Sequence, residues 1–347
     1  MKVLKYNNPR DAEIIEVPAP VPGADQILSK SLYCNISAGT EMGFYRGTAP
    51  QLNYKPDGHG NFHESPDCIK YPMQANAPGV WWMGYANVSR VVEVGTAIRN
   101  IHKGDVIFSQ KGHCEYQLLK EHEVLKLPGN INHEHAALLA LVEIAFNGIL
   151  DAELKLLSNV VVFGLGTIGQ LLVQMLKKSG VNVIGVDCLA KRIETARKNG
   201  ADTVVNFQEQ DVLRTVYEKT GDKGADLVFE ATGNIRALSE AIRVCAYNGQ
   251  VIAISFYNSA SDSLWLGREF HHKRVKLVSS QTCGINPCLS NIWDMPRRRQ
   301  AALSLLNVLD IGSLISHRVS FLDLPDTLKI IDENPSACNA VIIKYEV

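Results

Sequence analysis

Six residues near the middle of the chain carry the most specific chemical signal. Gly164, Gly166 and Gly169 stand in GxGxxG spacing, with Thr167 and Ile168 between the last two, directly after the apolar run at 160–163. Each glycine has its own reason in such a turn. One permits the tight bend, one lets the backbone approach a pyrophosphate, and one lets the following helix pack on the strand. The helix that starts there points the positive end of its dipole at the phosphate. An acid, Asp187, closes the next apolar run at 183–187. At that position it would accept hydrogen bonds from both ribose hydroxyls and repel a 2′-phosphate, so NAD is expected ahead of NADP. Arg192, with Lys191, follows closely and could pair with a 2′-phosphate, which keeps NADP as the second reading. Thr232 follows a fourth apolar run, 226–230, where ligands of parallel sheets bind; a plain turn is the alternative.

A second centre is Glu143, inside AALLALVEIAFNGIL. A carboxylate in an apolar helix-like run is costly unless paired or protonated. The functional reading is a general acid or base with a raised pKa, or an anchor for substrate hydroxyls. The plainer reading is a structural acid bonded to a neighbouring side chain. His113 is a lone imidazole suited to proton transfer, although such histidines more often serve as hydrogen-bonders in a core or at a surface. The basic runs at 271–274 and 297–299 read as solvated charge. The first would be the better clamp for an anionic substrate.

These residues need particular elements to hold them. From about 159 onward, apolar strands alternate with amphipathic helices, with six strands expected at 160–163, 183–187, 203–207, 226–230, 250–255 and 275–280. Six such strands make a complete doubly wound α/β dinucleotide fold. The first 130 residues instead show short strand-like runs separated by Pro, Gly, Asn and Asp, which predicts a β-barrel. Within that opening lies a polar stretch at about 52–79, long enough to be functional or mobile and expected to shape a substrate pocket. The tail from 285 is expected to rejoin the first domain. The expected domains are therefore 1–150, completed by 285–347, and 151–284.

The 347 residues, 46% of them hydrophobic, suffice for two cores. With 35 basic and 36 acidic residues the formal charge is −1, without the field a nucleic acid would call for. The eight cysteines are scattered singly and form no CxxC pair, which argues against a disulfide framework, a zinc ribbon or a redox dithiol. The N-terminal segment lacks the apolar stretch of a secretory signal, and no run approaches the ~20 apolar residues of a membrane span. A cytoplasmic protein with no membrane partner is expected.

The order of β-rich domain, dinucleotide unit and return segment, together with KGDVIF, HCEY, VLKLP and GLGTIG, resembles the medium-chain dehydrogenase/reductase superfamily over essentially the whole chain. The resemblance implies a GroES-like β-barrel catalytic domain joined to a six-stranded Rossmann domain, hydride transfer at a CH–OH carbon, and a homodimer. In zinc-bearing members the metal is expected from a Cys in a CGICGTD-like segment, a His in a GHE segment, and an acid or Cys at the end of the barrel domain. The corresponding stretches here read CNISAGTE and GYANVSRVVEVG. Ser37 stands near the cysteine's place, Tyr85 replaces the histidine, and Glu143 alone remains as a candidate ligand. ISAGTE, GYA and FEATGN are similar to a subgroup that includes bacteriochlorophyllide-type dehydrogenases, and zinc is not expected. Cys34, His59, His63 and Glu143 are the alternative ligand set, with no spacing that brings them together.

Without a metal, a side chain must donate a hydrogen bond or proton to the oxygen on which charge develops. The resemblance points to Tyr85, with the hydroxyls of Ser37 and Thr40 as a relay; each has a bland alternative, a half-buried barrel tyrosine or a turn residue. The expected function is a zinc-independent, NAD-preferring oxidoreductase interconverting a secondary alcohol and a ketone on a polar or polycyclic small molecule. A quinone or enoyl reductase, and a non-catalytic dinucleotide sensor, are the competing readings.

Overall fold

The computed structural model describes residues 1–258 and 263–346; Val347, the end of the expected closing run, lies outside the described residues. By internal contacts the chain divides into two compact units, Met1–Ala140 with Ile315–Val347, and Leu141–Leu314.

The first leg opens with β1 (Lys2–Asn8), β2 (Asp11–Glu16), β3 (Ile27–Asn35) and the short helix α1 (Glu41–Arg46). It continues through β4 (Tyr54–Pro56), β5 (Phe62–Glu64), β6 (Met73–Gln74), β7 (Asn87–Val94), β8 (Val106–Ser109), β9 (Tyr116–Leu119) and β10 (Val124–Lys126). The polar stretch is more ordered than its composition predicts. β4 and β5 form an exposed antiparallel hairpin, β6 pairs with β1, and Met73 and Ala75 enter the core of this unit. Two helices follow, α2 (His133–Ala136) and α3 (Leu139–Asp151), the latter leading into the second unit.

The second unit alternates as the sequence predicts: β11 (Asn159–Phe163), α4 (Thr167–Lys178), β12 (Asn182–Asp187), α5 (Ala190–Lys198), β13 (Thr203–Asn206) and α6 (Val212–Lys219). Then come β14 (Ala225–Glu230), α7 (Ile235–Val244), β15 (Cys245–Ala253), β16 (Lys276–Ser279) and α8 (Met295–Leu305). The sheet order is β13-β12-β11-β14-β15-β16, with every neighbour parallel. The strand order reverses beside β11, so the loops at its carboxyl end open where a dinucleotide binds.

The tail contributes β17 (Ile315–Ser320), α9 (Leu324–Glu333) and β18 (Ala340–Lys344) to the first unit. β18 pairs antiparallel with β3 and parallel with β17, extending the sheet β10-β8-β7-β3-β18-β17, onto which β9 also pairs through β3. Leu324, Leu328 and Ile331 of α9 pack in the same core as Phe44 of α1 and Leu4 of β1. The return thus begins at Ile315 rather than at 285: α8 belongs to the second unit, bound there by Arg298. Among the described residues no helix is long and apolar enough to cross a membrane.

Candidate functional site

The glycine turn joins β11 to α4. Gly164 has φ +85°, and a Cβ there would lie 2.7 Å from the Thr232 methyl, so only glycine makes this bend. A Cβ on Gly169 would come within 1.8 Å of the Gly164 carbonyl oxygen, so α4 seats directly on the turn. Gly166 differs from both. It caps α4 with φ −70°, and the nearest atom to a Cβ there is the Arg192 guanidinium at 3.8 Å. Among the described residues no atom comes closer than that to the Cβ position of Gly166, in keeping with a backbone that a phosphate could approach at the helix N-terminus. Thr167 and Ile168, half-buried, form the first turn of α4.

Asp187, at the carboxyl end of β12, is buried and already works for the fold. Its Oδ2 accepts the Leu165 N–H at 2.8 Å, and its Oδ1 accepts those of Cys188 and Leu189 at 2.7 and 2.9 Å. The acid thereby ties the glycine turn to the end of its neighbouring strand. The Arg192 guanidinium lies 3.8 Å from it. Thr232 donates its N–H to Glu230 at 2.7 Å and its hydroxyl to the same carboxylate oxygen. Glu230 is fully buried and also accepts the Tyr257 hydroxyl at 2.5 Å; burial, and then this carboxylate, drive the Tyr257 pKa far up. Sequence reasoning passed over Glu230, although an acid at the end of an apolar strand, in FEATGN, was a visible signal.

In the first unit, three candidates from the sequence come together. The Ser37 and Tyr85 hydroxyls are 2.5 Å apart. Burial pushes the Tyr85 phenol up to about 12, while hydrogen bonding to Ser37 and Thr40 pulls it down and the nearby Glu41 charge adds to the rise. Beneath them lies a fully buried pair, Glu41 and His113, with Oε2 and Nε2 2.7 Å apart. Burial alone would lower the His113 pKa; the Glu41 carboxylate, aided by Cys34, overrides it and raises the imidazole to about 10. His113 is therefore the charged half of an ion pair rather than a base poised near neutrality. Glu41, the last residue of SAGTE, was missed because an acid after a turn reads as a helix-capping charge.

Glu143 lies in the second unit and has partners. Its Oε1 accepts two bonds from Arg298 at 3.1 Å, and its Oε2 one from Arg299 at 3.4 Å. Arg298 is 1% exposed, and its other donors reach Asn147 Oδ1 and the Gly284 and Thr282 carbonyls at 2.6–2.7 Å. The run at 297–299 is thus no solvated patch, and the premise of an unpartnered Glu143 is corrected. The run at 271–274 is likewise partly structural: Lys273 donates to the Arg243 and Cys245 carbonyls at 2.6 and 3.1 Å, holding the end of α7. Of the alternative metal set, His59 and His63 are exposed beside and on the hairpin, Cys34 is buried in β3, and Glu143 is held by arginines. Among the described residues no three of His, Cys, Asp or Glu gather to hold a metal ion.

Comparison with known proteins agrees with this architecture. The sequence profile of the zinc-binding dehydrogenase family matches residues 167–295. A D-guloside 3-dehydrogenase from Escherichia coli K12 is 28% identical over 354 aligned residues, covering 96% of this chain and 97% of its own. An alcohol dehydrogenase from E. coli CFT073, solved with NADH, superposes with a TM-score of 0.78 at 21% identity, covering 99% of each chain. A protein from Sinorhizobium meliloti 1021, bound to NADP, superposes with a TM-score of 0.79 at 20% identity, covering 99% of this chain and 98% of its own. The solved structures share with this chain the fold of a GroES-like barrel unit plus a Rossmann unit.

Proposed function

We propose that the chain is a dehydrogenase of the medium-chain class acting at a CH–OH carbon, that it oxidises or re-forms a secondary alcohol on a sugar or polyol, prefers NAD, and uses no metal. The observation that carries this reading is the Ser37–Tyr85 hydroxyl pair, standing where the family resemblance places metal ligands. The zinc ion that the family name implies is not fitted by these residues. Two of its three positions hold hydroxyls bonded to each other, and the third, Glu143, is saturated by two arginines.

NAD, when bound, supplies the hydride acceptor. Gly164, Gly166 and Gly169 with the N-terminus of α4 would hold its pyrophosphate, and Asp187 its adenosine ribose, with Thr232 on the neighbouring strand end. Asp187 favours NAD because a 2′-phosphate would meet its carboxylate; Arg192 beside it is the feature that favours NADP. Tyr85, a phenol whose pKa burial lifts to about 12, donates a hydrogen bond to the oxygen that bears developing charge. In ketone reduction the phenolic proton passes to that oxygen as hydride reaches the carbon, and Ser37 and Thr40 return a proton to Tyr85; in alcohol oxidation the same hydroxyls carry the proton away. Glu143 anchors Arg298. The sugar or polyol class is supported by the guloside relative, and by Trp81, whose 45% exposed indole packs edge-on against Phe44 and Trp82 and offers an apolar face to a sugar ring.

The test is NADH formation by chelator-treated protein against polyols, cyclitols, methyl glycosides and hydroxyethyl-bearing macrocycles. Turnover that survives the chelator and is lost in Tyr85→Phe supports the proposal. Activity restored only by added zinc overturns the metal-free reading. NAD binding without turnover on any alcohol would favour a reductase or a sensor.

A further inference from the structure

The Ser37–Tyr85 pair is gripped from behind, and the grip involves buried charge. We propose that Glu41 and His113 act together as a positioning pair, fixing Ser37 and the Gly84–Tyr85 backbone so that the two hydroxyls stay aligned for proton transfer. This rests on the reading of Tyr85 given above.

The geometry is specific on both sides. Glu41 holds Ser37 at two points: its Oε1 accepts the Ser37 N–H at 2.7 Å, and its own N–H donates to the Ser37 carbonyl at 2.9 Å. Ser37 then has little freedom except rotation of the hydroxyl that meets Tyr85. His113 holds the other side. Its backbone N–H donates to the Met83 carbonyl at 3.0 Å, and its ring lies flush with Gly84, where a Cβ would come within 3.0 Å of both Cε1 and Nε2. Gly84 has φ +106°, so the residue before Tyr85 is both bent and backed by the imidazole. The 2.7 Å contact between Glu41 and His113 links the two grips. The titratable groups facing this pair are Cys34 of β3, Tyr6 of β1, Tyr345 beyond β18, and Tyr85 itself.

A buried ion pair is a poor device for stability alone, because desolvating two charges offsets most of their attraction, and apolar residues of similar volume often do as well. Fixing one geometry is the better-attested use of such a pair. Misplacing a reacting group by about 1 Å can cost about 100-fold in rate, so a small slack in Ser37 or Tyr85 would be felt in turnover.

The experiment compares wild type with Glu41→Gln, His113→Gln and Tyr85→Phe in the full chain. Glu41→Gln keeps the acceptor for Ser37 and nearly the same volume, so it decides the matter if His113→Gln does not fold. One readout is ¹³C-tyrosine NMR, with the Tyr85 ring signal assigned by its loss in Tyr85→Phe. The others are NAD affinity and the kcat and KM for methyl β-D-glucopyranoside. The expected result is a shifted or broadened Tyr85 signal, NAD affinity within about twofold, KM within about threefold, and kcat down about 10- to 100-fold. Variants that lose thermal stability but keep the Tyr85 signal and kcat would overturn the proposal, leaving a pair that only holds the fold. Full turnover in Tyr85→Phe would instead sink the proton-donor reading, while the Tyr85 signal in the Glu41 and His113 variants would still decide the grip.

Discussion

Truncating Arg298 to alanine is the sharpest test of how the second unit is built. The side chain is 1% exposed, and every guanidinium nitrogen is engaged: two bonds to Glu143, one to Asn147, and one each to the carbonyls of Gly284 and Thr282. Removing it strands the Glu143 carboxylate beside a single weaker partner, Arg299 at 3.4 Å. Breaking a buried pair by deleting one member costs about 3–5 kcal/mol, and orphaned acceptors add about 1–3 kcal/mol each where water cannot reach them. Truncation to alanine opens space through which water can reach the three other acceptors, and Arg299 offsets part of the stranded charge, so a value within the range for the broken pair, about 4 kcal/mol, is expected for Arg298→Ala. At roughly 2–4 °C per kcal/mol for a domain of this size, that is a fall of about 8–16 °C in Tm. The assay is thermal and urea unfolding of the full chain, combined with a double-mutant cycle against Glu143→Gln. A coupling of about 2 kcal/mol or more is expected for a hydrogen-bonded buried pair. If Arg298→Ala stays within about 1 kcal/mol of wild type, the assignment of Glu143 as an anchor is wrong. The same holds if Glu143→Gln abolishes turnover while leaving Tm untouched, because the carboxylate would then be serving the reaction.

Four other perturbations have definite expectations. Gly166→Ala, whose Cβ meets no atom of the described residues closer than 3.8 Å, should fold with unchanged Tm but bind NAD at least about tenfold more weakly, whereas Gly169→Ala, 1.8 Å from a carbonyl oxygen, should lower Tm first; equal effects on Tm would refute the assignment of Gly166 to phosphate approach. Asp187→Ser should lower the NAD-to-NADP ratio of kcat/KM by about tenfold or more, at some cost in stability from its three backbone bonds; an unchanged ratio removes Asp187 from cofactor selection. His113 has a folded pKa of about 10, above its usual 6.5, so its contribution is complete below pH 6.5 and is lost as pH rises through about 10. Wild type should therefore lose more Tm than His113→Gln between those pH values, and parallel losses would contradict the ion pair. Trp81→Ala should raise KM for methyl glycosides more than for small open-chain alcohols, and a uniform change would end its assignment as a sugar platform.

Much of this protein is written locally. The glycine turn, the acid at Asp187, and the alternation of strands and helices from 159 onward follow from spacing and hydrophobic period, because each is a short-range constraint on a few consecutive residues. The β-strands of the first unit are legible for the same reason, and even the N-cap of α8 is signalled by Asp294 and Pro296. Partnership between residues distant in sequence is not legible in this way. Nothing near Glu143 announces that Arg298, 155 positions away, will neutralise it, and the basic run that contains Arg298 looks like any solvated surface. Glu41 and His113, 72 positions apart, look like a turn acid and a stray imidazole. Burial made these charges meaningful, since an ionised group inside a protein is tolerable only beside an opposite one. Short-range pattern is enough to place the backbone turns and apolar faces; which charges cancel, and so which groups are left over to do chemistry, depends on contacts that exist only in the folded chain.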